Sequence, residues 1–212
     1  MKQINRFTET NFIVACKQLA KKDADLRSVI QQYGYPPLWK RNEGFETLIH
    51  IILEQQVSLA SAKAALDKLK EKLVNITPEN LLSLTDAALK ACYFSRQKII
   101  YSRELATVIL SQQLKLNSLA VAPDEMIRQE LTKIKGIGHW TVDVYLMMAL
   151  QRSDLFPVGD IALIKSIKAI KQLPAETTKE EIIQLAESWR PNRTIAAFIL
   201  WHAYLSKRKS KT

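Results

Sequence analysis

The segment Leu131-Thr-Lys-Ile-Lys-Gly-Ile-Gly-His-Trp-Thr-Val142 packs two glycines, two lysines and a histidine between two apolar helical stretches. Gly136 and Gly138 can adopt positive φ and carry no side chain, so backbone N–H groups of the turn and of the following helix can reach a phosphate oxygen directly. Ile134 and Ile137 would pin the turn to a core, while Lys133, Lys135 and His139 surround the anion with positive charge. The pattern is helix–hairpin–helix. A plain tight turn between helices is the competing reading, and the isoleucines flanking the glycines argue against it.

Further along, Phe156-Pro-Val-Gly-Asp-Ile-Ala-Leu-Ile-Lys165 puts Asp160 directly before the helical period Leu163, Ile164, Ile167, Ile170. Such an aspartate is ordinarily an N-cap, and here the two roles agree. A carboxylate held by helix N-terminal N–H groups is a poor proton acceptor but a good fixed negative charge. That suits a transition state developing positive charge, such as an oxocarbenium-like deoxyribose losing its base.

The elements that must position these residues read as helices almost throughout. Apolar residues recur with helical period at Phe12, Cys16, Leu19; at Phe45, Leu48, Ile49, Ile52; at Leu59, Ala62, Leu66, Leu69; and at Ile99, Ala106, Ile109. Nothing alternates like a strand. Thr77-Pro78 and Ala122-Pro123 place proline in a first helical turn, Thr178 to Glu181 forms a capping box, and Ser95 precedes the Ile99 pattern. The expectation is an all-α fold of about nine or ten helices with short connections at 33–37, 42–44 and 153–159.

Composition narrows the function. The chain is 47% hydrophobic and 25% charged, enough to bury a sizeable core without staples or metals. Its longest apolar runs, 144–150 and 195–201, are far short of the ~18–20 residues of a membrane span. The N-terminus lacks the apolar run of a secretory signal, so a cytoplasmic protein without a membrane partner is expected, nucleoid-associated if bacterial. Cys16 and Cys92 provide neither a disulfide framework nor the ligands of a zinc or iron–sulfur site, and the three histidines are far apart, so no metal or other cofactor is expected. Lys and Arg exceed Asp and Glu by 10, and the tail from Lys207 carries only four of those positive charges. A basic body suggests a polyanionic partner, nucleic acid first.

With these motifs in hand, the sequence resembles the helix–hairpin–helix DNA glycosylase superfamily, and within it the compact 3-methyladenine DNA glycosylase II (alkylpurine) branch. The resemblance spans nearly the whole chain: Phe45-Glu46-x-Leu48 into Ile52-Leu-Glu-Gln-Gln-Val-Ser58, then Phe94-Ser-Arg-Gln-Lys98, the hairpin, the Asp160 segment, and Trp189-Arg-Pro-Asn-Arg193 running to Trp201. It implies a two-lobed helical bundle with DNA across the cleft, one lobe at about 35–152 including the hairpin 131–142, the other from 1–34 and 153–206, and a basic tail 207–212. It also implies a monomer acting on damaged bases in double-stranded DNA. Position by position, Asp160 becomes the catalytic aspartate, Trp140 and Phe45 base-pocket residues, and Gln56 the wedge filling the gap left by a flipped nucleotide. Lys133, Lys135, Gly136, Gly138, His139 and Thr141, with Ser58 and Ser95, become phosphate contacts.

On this resemblance the activity is hydrolysis of the glycosidic bond of 3-methyladenine- or 7-methylguanine-type purines. Relatives that also cut the backbone carry lysine where this chain has Trp140, so an abasic site should be left intact. Relatives commonly have an aromatic residue at Asn192 and glycine at Glu54 and Tyr93. These departures alter one pocket wall and put a negative charge beside the wedge, which should weaken phosphate contact there. Two alternatives stay open: a helix–hairpin–helix module that only binds DNA, and the same fold acting on deaminated or oxidised bases. Trp140 as core and Gln55-Gln56 as a solvated helix end are the plain alternatives for those positions.

Overall fold

The computed structural model describes residues 5–209, and those residues form thirteen α-helices. In chain order these are α1 (Glu9–Lys22), α2 (Ala24–Tyr33), α3 (Phe45–Glu54), α4 (Leu59–Lys72), α5 (Pro78–Ser83), α6 (Asp86–Ala91) and α7 (Arg96–Leu110). They continue with α8 (Leu116–Leu119), α9 (Asp124–Thr132), α10 (His139–Met148), α11 (Ile161–Ile170), α12 (Lys179–Ala186) and α13 (Arg193–Lys209), with one 3₁₀ turn at Glu187–Trp189. The fold is all-α; the sole extended pairing among the described residues is an isolated bridge between Arg6 and Arg152. No described helix is long and apolar enough to cross a membrane.

The helices start where the side chains say they should. Thr77, Ser95, Thr178 and Asp160 all accept a hydrogen bond from a backbone N–H in the first turn, and Thr178 and Glu181 complete a capping box. Pro123 is one residue earlier than expected, standing as the N-cap of α9. The helix count also exceeds the expected nine or ten, because α5, α6 and α8 span only four to six residues, too few for a periodic pattern to show. Lys207 to Lys209, expected in a basic tail, continue α13; residues 210–212 lie outside the described ones.

Contacts divide the chain into two compact units, residues 1–40 with 146–212, and residues 41–145. The boundaries thus fall at 40/41 and 145/146, inside the expected 35 and 152. In the first unit, α13 packs on α1, α2 and α11. Its segment Ile195 to Leu200 is fully enclosed, and Phe7, Phe12 and Phe198 meet at ring-centroid distances of 5.8–6.2 Å. A polar hub lies beside this core. Asp23, the cap between α1 and α2, accepts from Lys171 Nζ at 2.7 and 2.8 Å, from Trp189 Nε1 at 2.8 Å and from the Asp25 and Leu26 N–H groups. Burial pushes the Asp23 carboxyl up, but the Lys171 and Trp189 hydrogen bonds and the lysine charge hold it below the usual aspartate range.

In the second unit, α3 is the central element, with seven of its ten residues buried against α4 and α7. A helix apolar on almost all sides can only be a core helix. Tyr145 closes its N-terminal end, its hydroxyl accepting the Gly44 N–H at 3.2 Å.

Candidate functional site

The hairpin belongs to the second unit. The chain leaves α9 through tight backbone bonds, Ile134 N–H to Leu131 C=O and Ile137 N–H to Ile134 C=O, and Ile134 and Ile137 are buried as anchors. Gly136 is at φ +91°, and a Cβ there would lie 2.0 Å from Tyr101 Cγ, so both the backbone and the ring packing demand glycine. Gly138 differs from expectation. It does not use positive φ, and a Cβ there would meet nothing within 4 Å. Its lack of a side chain serves nothing inside the protein and leaves open space where α10 begins.

Lys133, Lys135 and His139 are exposed around this turn. Lys133 pairs with Glu130 at 2.7 Å, and Arg128 braces the hairpin from α9, donating to Asp143 at 2.5 Å and lying 3.5 Å from His139 Nδ1. Thr141 needs a correction. The residue is buried, at 1% exposure, and its hydroxyl accepts from Gln55 Nε2 at 3.0 Å, so its side chain is turned inward and not toward an anion.

The C-terminal end of α3 joins the hairpin to two more helix starts. Gln55 Nε2 donates to the Gly136 carbonyl at 2.8 Å, and Lys98, in the first turn of α7, donates to the Leu53 carbonyl at 2.5 Å. Burial pulls the Lys98 ammonium below the usual lysine range. Residues 53–58 therefore connect the starts of α7 and α10 to that of α4. Gln56 stands exposed in this stretch at φ +59°, and Ser58 and Ser95 are the exposed N-caps of α4 and α7.

These three helices share one property. None has an acidic residue in its first turn, as is also true of α8, α11 and α13, whereas α1, α2, α3, α5, α6, α9 and α12 each carry Asp or Glu there. A first-turn carboxylate would neutralise the positive end of the helix dipole and repel a phosphate. Its absence at α4, α7 and α10 leaves three adjacent anion-attracting ends.

Asp160 belongs to the first unit and caps α11. Its Oδ1 accepts the Leu163 N–H at 2.8 Å and the Trp201 indole N–H at 3.0 Å. Trp201 is itself clamped, 8% exposed, stacked on Phe198 and edge-on to Trp39. The loop before Asp160 is fixed to the start of α13. Arg193 donates to Asp154 Oδ1 at 2.8 Å and to Glu187 at 2.6 Å, and Thr194 accepts the Leu155 N–H and donates to the Arg152 carbonyl. The carboxylate thus sits on a rigid frame with two donors on one oxygen. Trp201 as its partner was not foreseen; the available signal was an indole N–H on an apolar helix, which must find an acceptor somewhere.

Trp140, second residue of α10, is half-buried in the second unit, whereas Phe45 is buried at the start of α3. Of the two aromatics expected on a pocket wall, only Trp140 offers surface. Glu54 also needs correction: Arg41 grips its carboxylate with two nitrogens at 2.6 and 2.9 Å, leaving it 7% exposed, so it adds no free negative charge beside Gln56. Tyr93 is exposed at φ +63°, which explains why glycine suits that position. Asn192 accepts the first N–H bonds of α13 through its carbonyl and lines a cavity of about 420 Å³ with Asn5, Arg6 and Asn11.

An all-helical chain with a glycine hairpin, unneutralised helix starts and a capped, indole-held aspartate defines a helix–hairpin–helix protein built to meet a phosphate backbone. Comparison with known proteins gives its family. The model of the HhH-GPD superfamily of base excision DNA repair proteins matches residues 49–191, and the chain belongs to that superfamily. DNA-3-methyladenine glycosylase 1 of Schizosaccharomyces pombe is 31% identical over 167 residues, covering 76% of this chain and 73% of that one. The putative DNA-3-methyladenine glycosylase YfjP of Bacillus subtilis is 29% identical, covering 84% of this chain and 65% of that one. Among solved structures, the S. pombe 3-methyladenine DNA glycosylase (Mag1) in complex with abasic-DNA superposes with a TM-score of 0.82 at 29% identity, over 88% of this chain and 94% of that one.

Proposed function

We propose that this protein is a monofunctional DNA glycosylase that releases alkylated purines from duplex DNA and leaves an abasic site. The observation that carries the reading is Asp160, whose Oδ1 is held by the Trp201 and Leu163 N–H groups in a chain of the base excision repair superfamily. A carboxylate oriented this way stabilises the positive charge that develops on the sugar as the base leaves, without having to move a proton. Purines alkylated at N3 or N7 are cationic and leave readily, so little general acid is needed. Water completes the displacement. Trp140 occupies the position of the lysine nucleophile of bifunctional relatives, and its indole face favours a cationic ring.

The second unit is assigned to grip and flipping. The starts of α4, α7 and α10, with Lys133, Lys135 and His139, bind phosphates, and Gln56 fills the gap when the damaged nucleotide leaves the stack, which a glycosidic bond inside a duplex requires. Phe45 takes no part in this reading, being buried.

The test is excision of 3-methyladenine and 7-methylguanine from defined duplexes under single-turnover conditions. Free base and an alkali-labile but uncut strand are expected, and Asp160→Asn should lower the rate by ~10²–10³, the cost of losing one preorganised electrostatic contact. No released base from the intact protein, or an Asp160→Asn rate within tenfold of it, rejects the proposal.

A further inference from the structure

Gln55 is the last residue to follow α3 and the first to leave it, with φ −60° and ψ 124°, and the next residue is the exposed, left-handed Gln56. Both hydrogens of its Nε2 are engaged far along the chain, by the Gly136 carbonyl at 2.8 Å and Thr141 Oγ1 at 3.0 Å. These acceptors lie in the hairpin turn and in the first turn of α10, and both are enclosed by packing: Gly136 lies under the Tyr101 ring and Thr141 is buried. From the other side Lys98 holds the Leu53 carbonyl. The backbone leading into Gln56 is thus tied at Leu53 and again at Gln55, and the tie toward the hairpin is a single side chain.

We propose that Gln55 is a positioning residue that fixes the height of Gln56 relative to the hairpin, so that phosphate capture by the turn and insertion of the Gln56 side chain occur in one register. This rests on the reading of the chain as a base-flipping glycosylase with Gln56 as its wedge. Without Gln55 the phosphate donors remain in place, but residues 55–57 are free to shift, so gripping the duplex and extruding a nucleotide become separable.

Two variants test this on the full chain. Gln55→Met keeps length but has no donor; Gln55→Glu keeps shape and turns a donor toward Gly136 into an acceptor. For Gln55→Met, affinity for undamaged duplex should stay within about twofold, because phosphate contacts supply non-specific binding. Single-turnover excision of 7-methylguanine from duplex should fall by ~10–100-fold, and the fluorescence rise of a 2-aminopurine beside the lesion should be lost. Excision from single-stranded DNA should change by less than about threefold, since no base has to be drawn out of a stack. Protonated Gln55→Glu regains one O–H donor, so its duplex rate relative to the wild type should climb between pH 8 and pH 5, while the ratio for Gln55→Met stays flat.

If Gln55 only stabilised the fold, duplex and single-strand excision would fall together; that result overturns the proposal. Should Gln55→Met unfold, Thr141→Val, which removes one acceptor and keeps the shape, is read by the same duplex-to-single-strand ratio, and an unchanged ratio overturns it equally. A wild-type protein that releases no base from either substrate rejects the glycosylase reading instead, so the two failures are distinct.

Discussion

Trp201→Phe separates the orientation of Asp160 from its charge. The substitution keeps an aromatic ring between Phe198 and Trp39 and removes the indole N–H that lies 3.0 Å from Asp160 Oδ1. A hydrogen bond to a charged group is worth about 1.5–3 kcal/mol. The Leu163 N–H remains on the same oxygen, so the carboxylate stays capped but loses one of the donors that orient it. If orientation governs how well it stabilises the sugar cation, most of that energy appears in the barrier, and at 1.36 kcal/mol per decade the excision rate falls by ~10–100-fold. The smaller ring leaves unfilled space in an enclosed position, for a stability loss of about 1–2 kcal/mol, or about 2–8 °C in Tm for a chain of this length. Single-turnover excision of 7-methylguanine, DNA affinity and melting are measured together. The expected pattern is a slow, folded enzyme with wild-type affinity, and Trp201→Phe added to Asp160→Asn should slow it no further. A wild-type rate refutes the reasoning, and so does an additive loss in the double variant.

Other substitutions test the rest of the site. Gly136→Ala should cost about 2–4 kcal/mol through its positive φ and the Tyr101 clash, whereas Gly138→Ala should melt like the wild type and bind duplex DNA more weakly, as scanning calorimetry and titration would show. Trp140→Ala should lower excision of cationic 3-methyladenine relative to neutral hypoxanthine by ~5–30-fold, the size of a cation–π contact of about 1–2 kcal/mol; an equal loss on both makes the indole a packing residue. Because the folded Asp23 carboxyl is held below its unfolded value, its contribution is fully present above the unfolded carboxylate range and fades as pH falls through the folded value. Asp23→Ala should therefore lower stability by about 3–5 kcal/mol at pH 7, as for a broken buried pair, with a deficit that shrinks in acid; chemical denaturation across pH 3–7 would show it.

What the sequence disclosed was local. Thr77, Ser95, Thr178 and Asp160 cap helices because their side chains reach N–H groups three residues on, and the hairpin is legible because glycines, isoleucines and lysines fall within one turn. What it hid was contact across the chain. Gln55 reaches the hairpin over 81 and 86 residues, Trp201 reaches Asp160 over 41, and Arg41 neutralises Glu54 over 13. No periodicity encodes such partners, so Glu54 reads as a free charge, and a solvated helix end stays open for Gln55. Thr141 shows the complementary limit: the family resemblance implies a phosphate contact there, and three-dimensional packing turns the residue inward.

The division of the chain also bears on how it is made. The first unit is assembled from two stretches of sequence, and the 105 residues of the second are inserted between them. During synthesis, α1 and α2 emerge with Phe12, Cys16, Leu19 and Leu26 lacking their partner α13, which has yet to be translated. At about 5–20 residues per second that wait lasts at least some 5–20 s. The inserted unit, continuous in sequence and organised around α3, can meanwhile complete its own core. The waiting α1 is supported by its own start, where Thr8 and Asn11 bond reciprocally in a capping box.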